Sequence, residues 1–114
     1  MDEFNKGASV DRTVELKAGT TILDTSAFDT IEVIVFDLLM RIAATYTLAA
    51  GTVTKVAPTT SGQIFFVVPE TTSDNIRAMK YFYRIKTTET NLDFPNGIRT
   101  RSFTGWCFKL KVTK

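Results

Sequence analysis

Residues 106–113 read WCFKLKVT, and apolar and polar side chains alternate along this stretch. In an extended chain, Trp106, Phe108, Leu110 and Val112 fall on one side and the residues between them fall on the other. A helix would scatter the same apolar side chains around its circumference. The alternation therefore predicts a β-strand with one buried side near the end of the chain.

The same period of two recurs earlier in the chain. Residues 79–86 read MKYFYRIK, where Met79, Tyr81, Tyr83 and Ile85 alternate with the remaining side chains. This pattern predicts a second strand whose apolar side shares an interior with the first. Further strands are predicted at residues 13–16, 31–37, 52–56 and 63–68.

Two segments between the strands carry other signals. Residues 38–50 fit either a helix, from the spacing of Asp37 and Arg41, or a strand, from the run TYT at 45–47. The strand is the prediction adopted for them. Residues 70–76 predict a single helical turn, and the run DFPNG at 93–97 predicts a tight turn.

Seven or eight short strands separated by turn signals predict an all-β, immunoglobulin-like, two-sheet antiparallel sandwich. The 114 residues fit one domain that spans residues 1–114. The most apolar window, residues 33–50, is interrupted by Asp37 and Arg41, so no membrane span is expected. A single cysteine and the lack of an apolar leader favour folding in a reducing cytoplasm.

The sequence offers little for catalysis. Histidine is absent, Cys107 is the one cysteine, and the six glycines are far apart. Triads with a histidine base, His-ligated zinc sites and thiolate clusters are therefore excluded, and no phosphate-binding loop is visible. We expect no catalytic residue, no metal, no cofactor and no small-molecule substrate, and hence a protein that is not an enzyme.

Charge is distributed unevenly. Residues 1–40 hold eight acidic and three basic side chains, whereas residues 41–114 hold eleven basic and four acidic ones. Such a chain can join like copies head to tail, or the two regions can neutralise each other inside one fold. The polar sides of the last two strands predict a basic patch made of Lys80, Arg84, Lys86, Lys109 and Lys111, extended by Arg99 and Arg101. The patch would lie against the acidic N-terminal segment or bind an acidic protein, and the few aromatic residues on it weigh against nucleic acid.

A second apolar surface is predicted on the side of the sheet away from the core. Its members are Ile34, Phe36, Phe66, Phe82 and Phe103. The functional interpretation is an assembly contact, because large apolar patches seldom stay exposed on monomers. The structural interpretation is a bent strand or a bulge, for which Gly105 is well placed, that returns Phe82 and Phe103 to the core.

The order of these features resembles the immunoglobulin-like sandwich found at the N-termini of phage baseplate upper proteins and in related phage structural modules. The stretches that carry the resemblance read DRTVEL (11–16), IEVIVFD (31–37), SGQIFFVVP (61–69), YFYRI (81–85) and FTGWCFKLKV (103–112). The long apolar stretch 36–50 departs from that family, which more often has a polar hairpin there.

The resemblance implies a non-enzymatic virion protein of the tail, baseplate or capsid, made in the host cytoplasm. Its partners would be other virion proteins and copies of itself. The alternative is a carbohydrate-binding module for host attachment, with Phe94 as the stacking ring beside Asp93 and Asn96. A third hypothesis, a nucleic-acid-binding sandwich, would show steep loss of DNA affinity with salt.

Overall fold

A computed structural model describes residues 2–112, in which β-strands dominate. The strands are β1 (Asp2–Asn5), β2 (Val10–Glu15), β3 (Lys17–Ala18), β4 (Thr21–Ile22), β5 (Thr30–Phe36), β6 (Ile42–Thr47), β7 (Val53–Lys55), β8 (Gln63–Val68), β9 (Lys80–Thr90) and β10 (Ile98–Lys111). One α-helix, α1 (Glu70–Asn75), follows β8, and short 3-10 turns occupy Thr25–Ala27, Thr59–Ser61 and Pro95–Gly97. The predicted turns at 70–76 and 93–97 are therefore confirmed, while the predicted strand at 38–50 is confined to β6.

Two sheets face each other. The five-stranded sheet has the order β1-β10-β9-β5-β6, and the three-stranded sheet has the order β2-β8-β7. The short strands β3 and β4 form a separate ribbon. Within residues 2–112 the described pairs are antiparallel except β1 with β10, which run parallel. The predicted all-β, two-sheet sandwich is confirmed, with eight strands in the two main sheets.

The strand order is that of an immunoglobulin-like sandwich. Strands β2, β7 and β8 take the places of B, D and E, while β5, β6, β9 and β10 take those of C, C′, F and G. Immunoglobulin-like sandwiches have a characteristic tyrosine near the start of the strand that β9 represents. Tyr81 occupies this position, and its hydroxyl donates to the Arg77 carbonyl oxygen at 2.7 Å. Helix α1 lies in this crossover and carries the chain from one sheet to the other.

The core lies between the two sheets. The predicted sharing of one interior by Tyr81, Tyr83, Trp106 and Phe108 is confirmed, because Tyr83 stacks on Trp106 with ring centroids 5.5 Å apart and Tyr81 stacks on Phe108 at 5.6 Å. From the opposite sheet, Phe66 meets Tyr83 edge-on at 5.2 Å. Phe66 is fully buried, so its prediction as an outward residue is wrong. The run at 64–68 is apolar on both faces, and alternation alone could not tell which face is buried.

A bulge in β10 changes which residues face the core. The pairing with β9 shifts between Phe103 and Trp106, and Gly105 occupies the bulge with a φ of +108°. Because the bulge adds a residue, Phe103, Arg101 and Arg99 lie on the same face as Trp106. The prediction of these three residues on the outward face is therefore wrong. The alternative of a bulge at Gly105 is confirmed for Phe103, whereas Phe82 stays on the outward side.

Candidate interaction surface

The outward side of the five-stranded sheet gathers most of the predicted partner-binding residues. We call this side the basic face. Its predicted members are Ile34 and Phe36 on β5, Lys80, Phe82, Arg84 and Lys86 on β9, and Lys109 and Lys111 on β10. Ile34 lies on this face but is only 8% exposed. The sequence therefore placed eight of the twelve residues on one surface, and the other four point inward.

Two cations cover the aromatic rings of the basic face. The Arg84 guanidinium lies 5.3 Å from the centroid of the Phe36 ring, and the Lys80 ammonium lies 5.0 Å from that of Phe82. Phe36 and Phe82 are themselves opposite each other on β5 and β9. An exposed cation over a ring contributes about 0.5–1 kcal/mol and occupies one face of that ring.

Two acidic side chains of the described strands lie on the basic face, Glu3 at the β1 edge and Glu32 on β5 opposite Lys86, and neither is directly opposite Lys80 or Arg84. Lys80 is directly opposite Lys109, a like-charge pair that destabilises a sheet. Glu3 of β1 lies 4.0 Å from Lys109 and 3.8 Å from Lys111, so the acidic N-terminal segment does reach this edge. Within residues 2–112, no acidic side chain forms an ion pair with Lys80, Arg84 or Lys86. The centre of the face therefore stays positively charged.

Next to the basic face, the hairpin between β5 and β6 ends in a cluster of exposed apolar side chains. We call it the apolar tip. Its members are Leu38, Leu39, Met40 and Ile42, with exposed fractions of 54%, 71%, 69% and 65%. The sequence predicts a strand at residues 38–50, in which alternate side chains would be covered. It therefore gives no indication of this exposed cluster.

Asp37 holds the apolar tip in one conformation. Its carboxylate accepts hydrogen bonds from the backbone N–H groups of Leu39 at 2.9 Å and Arg41 at 3.0 Å, and from the Arg41 guanidinium at 2.9 Å. The bond from the Arg41 N–H contributes most to holding the pKa of Asp37 below its usual value, against the effect of burial. Met40 adopts a φ of +62° at the turn. The four-residue spacing of Asp37 and Arg41, which also fits a helix, here lets the two residues close this turn.

A groove joins the apolar tip to the basic face. It has a volume of about 280 Å³ and lies among Phe36, Met40, Phe82, Arg84 and Trp106 beside the bulge in β10. Its lining is aromatic and apolar apart from the Arg84 guanidinium and Thr104. A cleft of this composition suits an apolar side chain of a protein partner better than a polar small molecule.

The inward-facing arginines have partners of their own. Arg101 pairs with Glu89 at 3.3 Å, and the Arg99 guanidinium lies 5.1 Å from the centroid of the Phe94 ring. Arg99 thereby occupies one face of the ring that the carbohydrate-binding alternative requires. Asn96, which that alternative places beside the sugar, has a φ of +63° within the turn. These contacts give the β9–β10 turn a structural role.

Among residues 2–112, no three acidic or cysteine side chains come together as a metal site would require. In that part of the chain, no helix is both long and apolar enough to cross a bilayer.

Comparison with known proteins gives little further information. No protein-family model matches the chain, and no curated protein matches its sequence. The crystal structure of AggA, the major subunit of aggregative adherence fimbriae type I from Escherichia coli, is similar at 13% identity and a TM-score of 0.37. The similarity covers 98% of this chain and 89% of AggA. At this TM-score the similarity carries no functional argument, and the immunoglobulin-like description rests on the strand order.

Proposed function

We propose that this chain is a non-enzymatic structural protein of a phage particle, a tail, baseplate or capsid module that acts through contacts with other virion proteins. The observation that carries the proposal is the apolar tip beside the basic face. Four large apolar side chains within five consecutive residues are more than half exposed on a turn that Asp37 holds in place. A surface of this kind on a soluble domain marks a protein contact.

The surroundings of the tip fit a protein partner. The groove accepts an apolar side chain, and the cations around it can pair with acidic groups at the rim of a contact. Aromatic residues and arginine, the types that dominate binding energy at interfaces, line it together. Repetition of the module on a particle would turn a weak contact into a strong attachment through high effective concentration.

The substitution Leu39→Asp tests the proposal. Leu39 is 71% exposed, so the change should alter the free energy of unfolding by no more than about 0.5 kcal/mol. A charge at the centre of the apolar tip should nevertheless exclude the chain from particles. Mass spectrometry of purified phage particles, produced in cells that supply either the variant or the unchanged chain, measures this loss.

Leu92→Asp is the matched control. Leu92 is 90% exposed and lies in the β9–β10 turn, at the opposite end of the five-stranded sheet. It receives the same charge, and we expect it to be incorporated normally. Absence of the unchanged chain from particles, or equal incorporation of the Leu39 variant, would contradict the proposal.

A further inference from the structure

The three-stranded sheet also has an outward side, and its charge is the opposite of that on the basic face. We call it the acidic face. Its members are Asp11, Thr13 and Glu15 on β2, Thr54 on β7, and Gln63, Phe65 and Val67 on β8. Arg12 is on the other side of β2, where its guanidinium donates to the Tyr83 hydroxyl at 3.4 Å. The outward-facing residues of these three strands therefore include two acids and no base.

The acidic face has an apolar centre like that of the basic face. Phe65 and Val67 are half-buried on the central strand β8, with Thr13 and Thr54 on either side of Phe65. The acids lie along the edge strand β2. Glu15 has a partner in Lys17 at 3.0 Å, while no ion pair to Asp11 occurs within residues 2–112.

The two faces lie on opposite sides of the sandwich and complement each other. One presents Phe36 and Phe82 among cations, and the other presents Phe65 and Val67 beside carboxylates. Contact between two basic faces would bring like charges together, which costs free energy. Contact between a basic and an acidic face would pair opposite charges around a shared apolar centre.

We infer that copies of this chain stack head to tail, with the acidic face of one copy on the basic face of the next. This inference deepens the proposed assembly function and rests on it for its biological role. Because the two contact surfaces differ, each added copy leaves a free face of each kind. The contact therefore builds a row or a ring rather than a closed pair.

Sedimentation velocity of the purified protein tests the stacking. Species larger than a dimer should form as the protein concentration rises. They should dissociate as the salt concentration rises from about 0.01 M to about 1 M, because the Debye length falls from about 30 Å to about 3 Å. A protein that stays monomeric in low salt at every concentration would overturn the inference.

Charge reversal identifies the surfaces. The double variants Lys80→Glu/Arg84→Glu and Asp11→Lys/Glu15→Lys should each be monomeric, because in each the reversed charges would meet like charges on the neighbouring copy. An equimolar mixture of the two should associate again. Circular dichroism and thermal melting confirm that both variants fold. The inference would be overturned if either double variant alone associated like the unchanged chain, or if the mixture of the two stayed monomeric.

Exposed charges outside both faces supply the controls. Arg77→Glu, between α1 and β9, and Asp93→Lys, in the β9–β10 turn, each reverse one exposed charge, and both should associate normally. The result also separates this inference from the proposed function. Loss of the Leu39 variant from particles with a monomeric pure protein would leave the proposed function standing and reject the stacking. Stacking of the pure protein with normal incorporation of the Leu39 variant would support the stacking and reject the proposed function.

Discussion

At the scale of single residues, the hydroxyl of Tyr81 ties the crossover between the sheets to the core. Its ring stacks on Phe108, and its hydroxyl donates to the Arg77 carbonyl oxygen two residues after the end of α1. The ring and the hydroxyl thus have separate partners. The contribution of the hydrogen bond can be measured without disturbing the aromatic packing.

We predict that Tyr81→Phe destabilises the protein by about 1 kcal/mol, which is the usual net contribution of one hydrogen bond. The substitution removes the donor and leaves the Arg77 carbonyl oxygen without a partner. Urea denaturation followed by tryptophan fluorescence measures the change. An unchanged denaturation midpoint would mean that water replaces the hydroxyl at no cost.

Thr87 should give the opposite result. Its side chain is buried, and within residues 2–112 its hydroxyl has no hydrogen-bond partner. The substitution Thr87→Val keeps the shape and removes the buried polar atom, so we expect stabilisation of about 1 kcal/mol. Thr45→Val, on the outward side of β6 in the same sheet, is the control for strand propensity. A Thr87→Val protein that is less stable than the unchanged protein would contradict this prediction.

Side-chain alternation predicted the aromatic interior well and failed where it carries no information. Phe108 and Leu110 alternate with Lys109 and Lys111, and both are buried as expected. Phe66 has apolar neighbours on both sides, so its direction depends on which face of β8 meets the other sheet. That depends on tertiary packing, which no short stretch of sequence contains.

At the scale of elements, the bulge in β10 decides which charges are presented outward. Lys109 and Lys111 follow the bulge and stay on the basic face, whereas Arg99 and Arg101 precede it and turn inward. Gly105 indicates that a bulge is possible, but a one-residue shift is set by pairing with β9. The membership of the basic patch could therefore be predicted only on one side of this glycine.

The turn that carries the apolar tip makes a prediction for pH. The pKa of Asp37 is lowered from its usual value of 3.8, so the ionised carboxylate stabilises the folded state above that value. This contribution is lost as the pH falls through the lower pKa of the folded state. Asp37→Asn should be less stable than the unchanged protein at pH 7, and the difference should shrink in acid below about pH 4.

Thermal or urea denaturation of both proteins across this pH range provides the measurement. Because every other acidic group is present in both proteins, the difference between the two curves isolates Asp37. A difference that is constant with pH would show that its hydrogen bonds do not depend on ionisation.

At the scale of the whole molecule, the path of the chain brings its first described strand beside its last. Strand β1 pairs with β10 from Asp2↔Phe108 to Asn5↔Lys111, and the ring of Phe4 meets that of Phe108 edge-on at 6.3 Å. The same path turns the uneven distribution of charge along the sequence into opposite charge on two faces. Ion pairs between the two regions form at Glu3, with Lys109 and Lys111, and at Asp37, with Arg41.

Pairing of strands far apart in sequence should make folding slow. Loops must close before β1 meets β10 and before β2 meets β8, and sandwiches of this kind fold in about milliseconds to seconds. Stopped-flow refolding monitored through Trp106 measures the rate. Complete recovery of the native signal within microseconds would show that local contacts dominate folding.

The Asp37 carboxylate closes the turn by accepting hydrogen bonds from the backbone N–H groups of Leu39 and Arg41 and from the Arg41 guanidinium. The side chains of Leu38, Leu39 and Met40 take no part in these bonds. Leu38 and Leu39 are consequently free to vary while the scaffold stays the same, whereas Met40, with a φ of +62°, accepts fewer side chains without strain. Related chains could change the partner they recognise by substitutions at these positions alone, much as an antibody changes its antigen through loops on a constant framework.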